Sequence, residues 1–233
     1  MRYQALFPTL VLVTGLASAT VFADSADSPG AVETVVDAPE LERVDRLTLK
    51  SSRHLVTSID PAPAGEMVNA VIEIPTGTTA KWEVAKESGN LVWELRKGKP
   101  RQVKYLGYPG NYGMIPQTLL PEADGGDGDP LDILVLGPAV PRGSVQRVQV
   151  IGLLRMLDKG EQDDKLIAVP TQGVFRKIDS IEELDEKFPG VSDIVNTWFA
   201  NYKGQDKIQI QGYAGPAKAL EVLERALAGY REQ

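Results

Sequence analysis

Asp127-Gly-Asp-Pro-Leu-Asp132 runs directly into Ile133-Leu-Val-Leu136. Three carboxylates fall within six residues, with Gly128 and Pro130 between them. The apolar run that follows is bounded by turn residues and predicts a buried strand. The acids therefore stand where a loop enters the core. Carboxylates held this close repel one another and lose hydration, so the cluster requires cations. Hard divalent ions such as Mg²⁺ take oxygen ligands and are commonly shared with substrate phosphates.

Working outward, residues 68–74 alternate and are β-rich, with Pro75 closing them. Two further strands, 81–84 and 91–95, flank a hairpin turn at Glu87-Ser-Gly-Asn90. Residues 101–105 predict an extended piece, and Tyr108-Pro-Gly-Asn-Tyr-Gly113 a turn-rich loop. Beyond the acids, 131–136, 144–157 and 166–169 read as strands. The second half changes character: 181–188, 192–202 and 216–230 show helical spacing, the last with Pro216 at an early helix position. Strands first and helices later predict an α+β, mainly β fold, a small closed sheet packed by C-terminal helices.

The chain has 233 residues, enough for one good-sized domain or two small ones. Its net charge is −7 with no basic stripe, which argues against nucleic acid as a partner. An anionic substrate would need local bases and metals. There is no cysteine and one histidine, His54, so thiol chemistry, disulfides and Cys/His zinc sites are excluded. A Ser-His-Asp arrangement would have to use His54, which lies far from any nucleophile-elbow motif. Carboxylates, Lys, Arg and Tyr must carry the chemistry.

Residues 1–23 read as a secretory signal peptide: Arg2, an apolar region over 6–16, then Val21-Phe-Ala23 as cleavage site, with Ala17-Ser-Ala19 as the alternative. Pro8 and Gly15 interrupt the apolar run, so no stable membrane insertion is expected. The expectation is an exported protein, periplasmic or secreted; the alternative is an uncleaved N-terminal membrane anchor. Residues 24–66 read as a linker or N-terminal extension. Within them, 47–49 and 54–57 are candidate short strands, and Pro61-Ala-Pro63-Ala-Gly65 is a turn. The globular domain is expected over 67–233.

Several further groups suit phosphate chemistry. Glu73 is a charge between Ile72 and Ile74, and Lys81 and Glu83, two apart, share a strand face. Taken singly these read as solvated strand faces. Lys97-Gly-Lys-Pro-Arg101 is a basic loop, and an arginine there can grip phosphate bidentately. Tyr108 and Tyr112 read as packing residues whose hydroxyls can also donate to phosphate oxygens. Asp158 and Asp163 stand at the two ends of a charged hairpin loop, able to face one cation, with Lys165 toward a phosphate. Trp198 and Tyr202, four apart, share a helix face that leads to Lys203; Trp198 and Phe199 are assigned to the core.

Seven segments, in order, resemble the family I soluble inorganic pyrophosphatases: Ile72-Glu-Ile-Pro75, Lys81-x-Glu83, Lys86-Glu-Ser-Gly89, Asn111-Tyr-Gly113, the Asp127–Asp132 run, Asp158-x₄-Asp163-x-Lys165 and Tyr202-Lys203. The resemblance covers roughly residues 68–203, and agreement across so many segments outweighs any single motif. It implies a closed five-stranded OB-like β-barrel with the site at its mouth. It also implies Mg²⁺-dependent hydrolysis of diphosphate to two phosphates, with Mn²⁺ or Zn²⁺ as substitutes. By position, Asp127, Asp132, Asp158 and Asp163 would hold metal ions, and Glu73 a further one through water. Asp129 would orient or deprotonate the attacking water. Lys81, Arg101, Tyr112, Lys165, Tyr202 and Lys203 would contact phosphate oxygens, with Arg96 a competitor for the place of Arg101. Tyr108 would stand among the catalytic groups and Glu83 would support the site. A homo-oligomer is expected, dimeric in the eukaryotic branch and hexameric in the bacterial one.

A charge count agrees. Seven candidate carboxylates face four candidate cations, Lys81, Arg101, Lys165 and Lys203, leaving three negative charges before an anionic substrate arrives. Such a site binds diphosphate only with divalent cations present. The competing reading is an OB-like module that captures diphosphate or divalent metal without turnover. An OB-fold nucleic-acid binder fits poorly with the acidic balance.

Overall fold

A computed structural model describes residues 35–61 and 67–232. The expected signal peptide, the first part of the linker and most of the turn at 61–65 lie outside the described residues. The strands, in chain order, are β1 (Val35–Asp37), β2 (Leu41–Arg43), β3 (Thr48–Ser51), β4 (Met67–Ile74), β5 (Trp82–Val84), β6 (Leu91–Trp93), β7 (Leu95–Arg96), β8 (Lys99–Pro100), β9 (Asn111–Met114), β10 (Asp132–Val135), β11 (Val145–Asp158), β12 (Glu161–Gln162) and β13 (Lys165–Pro170). Helices α1 (Ile181–Lys187) and α2 (Val191–Asn201) follow, then β14 (Ile208–Ala214) and α3 (Pro216–Arg231).

The long strand β11 is the axis of the fold. It pairs with β13 and β4, and also with β1, β12 and β14. From β4 the pairing runs to β9, from β9 to β10, and from β10 to β13, the last pair parallel. β13 then returns to β11, so these five strands pair in a ring. Buried β-branched and aliphatic residues drive it: β4, β9 and β13 are buried almost throughout. Gly113 is required where β9 crosses β4, because a Cβ there would lie 1.9 Å from the Val71 carbonyl oxygen.

The helices pack against two different core clusters, α1 and α2 on one and α3 on the other. Ser180 caps α1 by accepting from the Glu183 N–H at 3.1 Å, and Glu183 accepts in turn from the Asp179 N–H at 2.9 Å. α2 buries Val195, Trp198 and Phe199 against the ring, as expected for the two aromatics. α3 starts at Pro216 and packs Ala219 and Leu223 into the second core cluster.

Several local expectations change. Within the stretch expected as a linker or N-terminal extension, residues 35–61 carry strands that pair with the rest of the fold. β2 and β3 pair with β6 and β5 in a second sheet, and Leu55, Val56 and Ile59 are buried with Trp82, Leu91 and Met114. Its apolar residues follow neither a strand nor a helix period, which hid the burial. Residues 54–57 form a turn, and 101–105 hold only an isolated bridge from Gln102 to Ala80. The second half of the loop expected over 108–113 belongs to strand β9, Asn111–Met114, and β14 is a strand that the expectations above do not include. Ile208-Gln-Ile-Gln211 alternates apolar and polar residues, the period of a half-buried strand, so β14 was legible; it pairs with β11.

Candidate active site

Strand ends deliver the candidate residues to one end of the ring. Glu73 comes from the end of β4, Tyr112 from β9, Asp132 from the start of β10, Asp158 from the end of β11 and Lys165 from the start of β13. Lys81 and Glu83 lie at β5, and Asp163 lies between β12 and β13. One recess is lined by Glu73, Lys81, Glu83, Tyr112, Asp127, Asp129 and Asp132. A second is lined by Asp127, Asp158, Asp163 and Lys203, so Asp127 borders both.

Four of the acids, Asp129, Asp132, Asp158 and Asp163, lean on a lysine. Lys165, 3 % exposed, donates to Asp132 and, at 2.5 Å, to Asp163. Lys203 donates to Asp158 at 2.6 Å and stands 3.9 Å from Asp163. Lys86 reaches Asp129 at 2.6 Å and the Gly128 carbonyl at 2.8 Å. Asp127 accepts from the Asp129 N–H at 2.9 Å, and Gly128 between them takes a left-handed φ of 85°, a turn that suits glycine. Lys81 stands 5.2 Å from the centre of the Tyr112 ring.

The tyrosines form a stack behind the acids. Tyr108 and Tyr112 are 5.1 Å apart, Tyr108 packs on Trp198 at 4.4 Å, and Trp198 stacks on Tyr202 at 4.5 Å. Tyr108 is buried and lines neither recess. Arg101 is held by Glu94 through contacts of 2.7 and 2.9 Å. Its backbone carbonyl accepts from Lys81 at 3.0 Å, which fixes it beside the recess. Arg96 sits two strand positions farther out and is exposed.

Burial and charge set the protonation states. Burial pushes the Glu73 carboxyl up to about 7, although Lys81 and the Val84 N–H, bonded at 2.7 Å, pull it down. Burial also opposes ionisation of Asp132, but Lys165 and Lys81 outweigh it and hold that carboxyl below the usual range. Burial opposes the charge on Lys165, and Asp132 and Asp163 more than restore it. Burial pushes the Tyr108 and Tyr112 phenols well up, so both stay protonated as donors.

Glu73 carries a pH prediction for metal-free protein. Burial raises its folded pKa to about 7 from the ordinary 4.5. Its contribution to stability is therefore fully present below about pH 4.5 and lost as pH rises through 7, on the order of 3 kcal/mol. In EDTA, Glu73→Gln should be more stable than the parent at pH 8, and the gain should vanish at pH 4.5. Thermal melts at both pH values read this; an equal shift at both would show that Glu73 is not held protonated.

The residue set suits a hard cation by its donors. All candidate ligands are carboxylate oxygens, and Asp158 Oδ1 is buried without a hydrogen-bond donor. Among the described residues no three of these acids converge into a ready-made cage; lysine ammonium groups stand between them. Three neighbours were missed from sequence. Lys86 holds Asp129, Glu94 holds Arg101, and Arg142 donates to the Glu73 carbonyl while stacking 4.9 Å over Trp82. Lys86 was legible within Lys86-Glu-Ser-Gly89; nothing local marks the other two. The His54 imidazole accepts from the Thr57 N–H at 3.3 Å, and its carbonyl accepts from the Ser58 N–H at 2.9 Å.

The family model described as inorganic pyrophosphatase matches residues 70–231. An inorganic pyrophosphatase of Gluconobacter oxydans is 38 % identical over 165 residues, spanning 69 % of this chain and 90 % of that protein. One of Xanthomonas campestris is 36 % identical over 182 residues, 76 % of this chain and 95 % of that protein. The crystal structure of the Thermus thermophilus inorganic pyrophosphatase superposes with a TM-score of 0.65 at 31 % identity, covering 77 % of this chain and 99 % of that one. The chain belongs to the inorganic pyrophosphatase family and hydrolyses inorganic diphosphate to two phosphates.

Proposed function

We propose that the acid–lysine rim is the catalytic site, with Asp129 as general base. The observation that carries this is the alternation of acids and cations at one end of the ring, with Asp129 the most solvent-accessible of the paired acids, its side chain 61 % exposed. The five-strand circuit is read as the closed OB-like barrel expected from sequence, with the rim at its mouth. Asp127, Asp132, Asp158 and Asp163 would hold Mg²⁺, and Glu73 a further ion through water. Bound Mg²⁺ supplies neutralisation of the diphosphate and a lowered pKa for the attacking water.

The protein's own groups do the rest. Asp129 takes the proton of the water as its oxygen attacks phosphorus. Lys81, Arg101, Tyr112, Lys165, Tyr202 and Lys203 donate to phosphate oxygens, where the charge of the transition state develops. Lys165 and Lys203 exchange carboxylate partners for phosphate as the site fills. Tyr108 keeps Tyr112 and Tyr202 in place through ring packing, and Glu83 counters Lys81. Purified protein should release phosphate from diphosphate with Mg²⁺, and EDTA should abolish release. Tight diphosphate binding without release would favour a binding module instead.

Residues 1–23 are proposed as an export signal, supported by their charge, apolar run and small-residue cleavage site. Among the described residues no helix is long and apolar enough to cross a membrane. Mass spectrometry of the native protein should find a chain starting after Ala23; an intact Met1 in a membrane fraction would support an anchor.

A further inference from the structure

The β7–β8 hairpin stands out from an acidic chain. Arg96, Lys97 and Lys99 are all exposed, and among the described residues none of the three is in an ion pair. Lys97 and Gly98 both take left-handed φ values, 54° and 72°, which close a tight two-residue turn. Pairing then runs Arg96 with Lys99 and Leu95 with Pro100, and the Arg101 N–H donates to the Glu94 carbonyl at 2.8 Å. Side chains two apart share a face of a strand. Arg96 and Lys99 therefore stand on the face that carries Glu94 and Arg101, and Leu95 and Pro100 on the other.

That face continues from the acidic site. At the base of the ribbon the Lys81 N–H donates to the Arg101 carbonyl at 3.0 Å, and the Glu94 N–H to the Lys81 carbonyl at 2.9 Å. Lys81 itself lines the acid recess. The Arg96–Lys99 pair is two residues beyond, about 7 Å farther out at strand rise. Among the described residues of the ribbon, the only acid on this face is Glu94, already paired with Arg101. A line of positive charge thus leaves the site and faces solvent. With diphosphate held by Lys81 and Arg101 as proposed above, it ends at the base of this line and leaves the outer cations without a part in its recognition. A longer linear phosphoanhydride would carry its extra negative charges along them.

We propose that this ribbon is a subsite for the phosphates of linear polyphosphate beyond the first two. Tripolyphosphate and longer chains then bind with one end in the acidic site and the rest along Arg96 and Lys99. This rests on the diphosphate site proposed above. The test measures inhibition of diphosphate hydrolysis by tripolyphosphate and tetrapolyphosphate at fixed free Mg²⁺. The proteins compared are the parent, Lys99→Glu, and the double variant Arg96→Gln with Lys99→Gln.

The parent should show competitive inhibition, tighter for the longer chain and weakened by salt. Both variants should raise the tetrapolyphosphate inhibition constant about tenfold, as expected from loss of exposed phosphate contacts, while kcat/KM for diphosphate stays within about twofold. Absence of inhibition in the parent, an unchanged constant in the variants, or an equal rise in diphosphate KM would overturn the subsite. So would equal inhibition by single-stranded DNA of matched charge, lost in the same variants, which would mark a general polyanion surface. Absence of diphosphate hydrolysis in the parent would instead remove the underlying site reading, so the two failures are distinguishable.

Discussion

Asp129→Asn should lower kcat by about 10²–10⁴-fold while diphosphate and Mg²⁺ still bind, because general-base assistance is typically worth that much. Asparagine keeps the shape of the side chain and loses only its basic oxygen. The Asp127 turn accepts from the backbone N–H of residue 129 and survives the change. At 61 % exposure Asp129 faces solvent far more than Asp132, Asp163 or Asp158, at 32, 22 and 23 %. Lys86 is its ion-pair partner, so the carboxylate is held but open to water. Asp132→Asn should behave differently. It removes a charge that compensates Lys165 and that would hold a cation, so the loss should appear first as weaker Mg²⁺ affinity and be partly rescued by more Mg²⁺. Titrating Mg²⁺ against rate for both variants separates the roles. If excess Mg²⁺ rescues Asp129→Asn as fully as Asp132→Asn, both residues are ligands and the base lies elsewhere.

Lys165→Met should destabilise metal-free protein by about 3–5 kcal/mol, the usual result of removing one partner from a buried ion pair. For a chain of this size that is roughly 10 °C in Tm. Lys165 is 3 % exposed and is held between Asp132 and Asp163. Without it, two carboxylates face each other across the rim. The pH dependence has a definite sign. Asp132 is held below the usual carboxylate range, so its contribution is present above its unfolded pKa, about 4, and is lost as pH falls through the folded value. Lys165 is held above the usual range, so its contribution is present below about pH 10.5 and is lost as pH rises through the folded value. The parent should exceed the variant by the full margin between these limits and converge with it in acid. Mg²⁺ should narrow the margin at pH 7, since a cation can take the place of the ammonium between the acids. Activity should fall with it, since Lys165 is also a proposed phosphate contact. Melts at pH 3 and 7, with Mg²⁺ and with EDTA, measure all of this; a margin at pH 7 that Mg²⁺ leaves untouched would make Lys165 a purely structural group.

The candidate site could be assembled from sequence because its acids and bases sit in short, local signals. The acids of 127–132 lie in six consecutive residues at a loop-to-strand junction, and Asp158, Asp163 and Lys165 lie in one hairpin loop. The main strands and all three helices follow from period and turn residues that act over a few positions. What failed was also local in cause. Around the short strand expected at 47–49, residues 35–61 show no sustained period, and Leu55, Val56 and Ile59 are buried beside Trp82 and Leu91.

The sequence alone determined the kinds of element, the set of acids and bases, and the excess of negative charge that makes a divalent cation necessary. Only the tertiary structure decided how these meet. Lys165 finds Asp132 across 33 residues and Lys203 finds Asp158 across 45. The ring of five strands, with β10 and β13 parallel, sets which carboxylate faces which ammonium. No local pattern encodes these pairings. They follow from the register of buried strands, where a slip of one residue would turn every side chain to the opposite face.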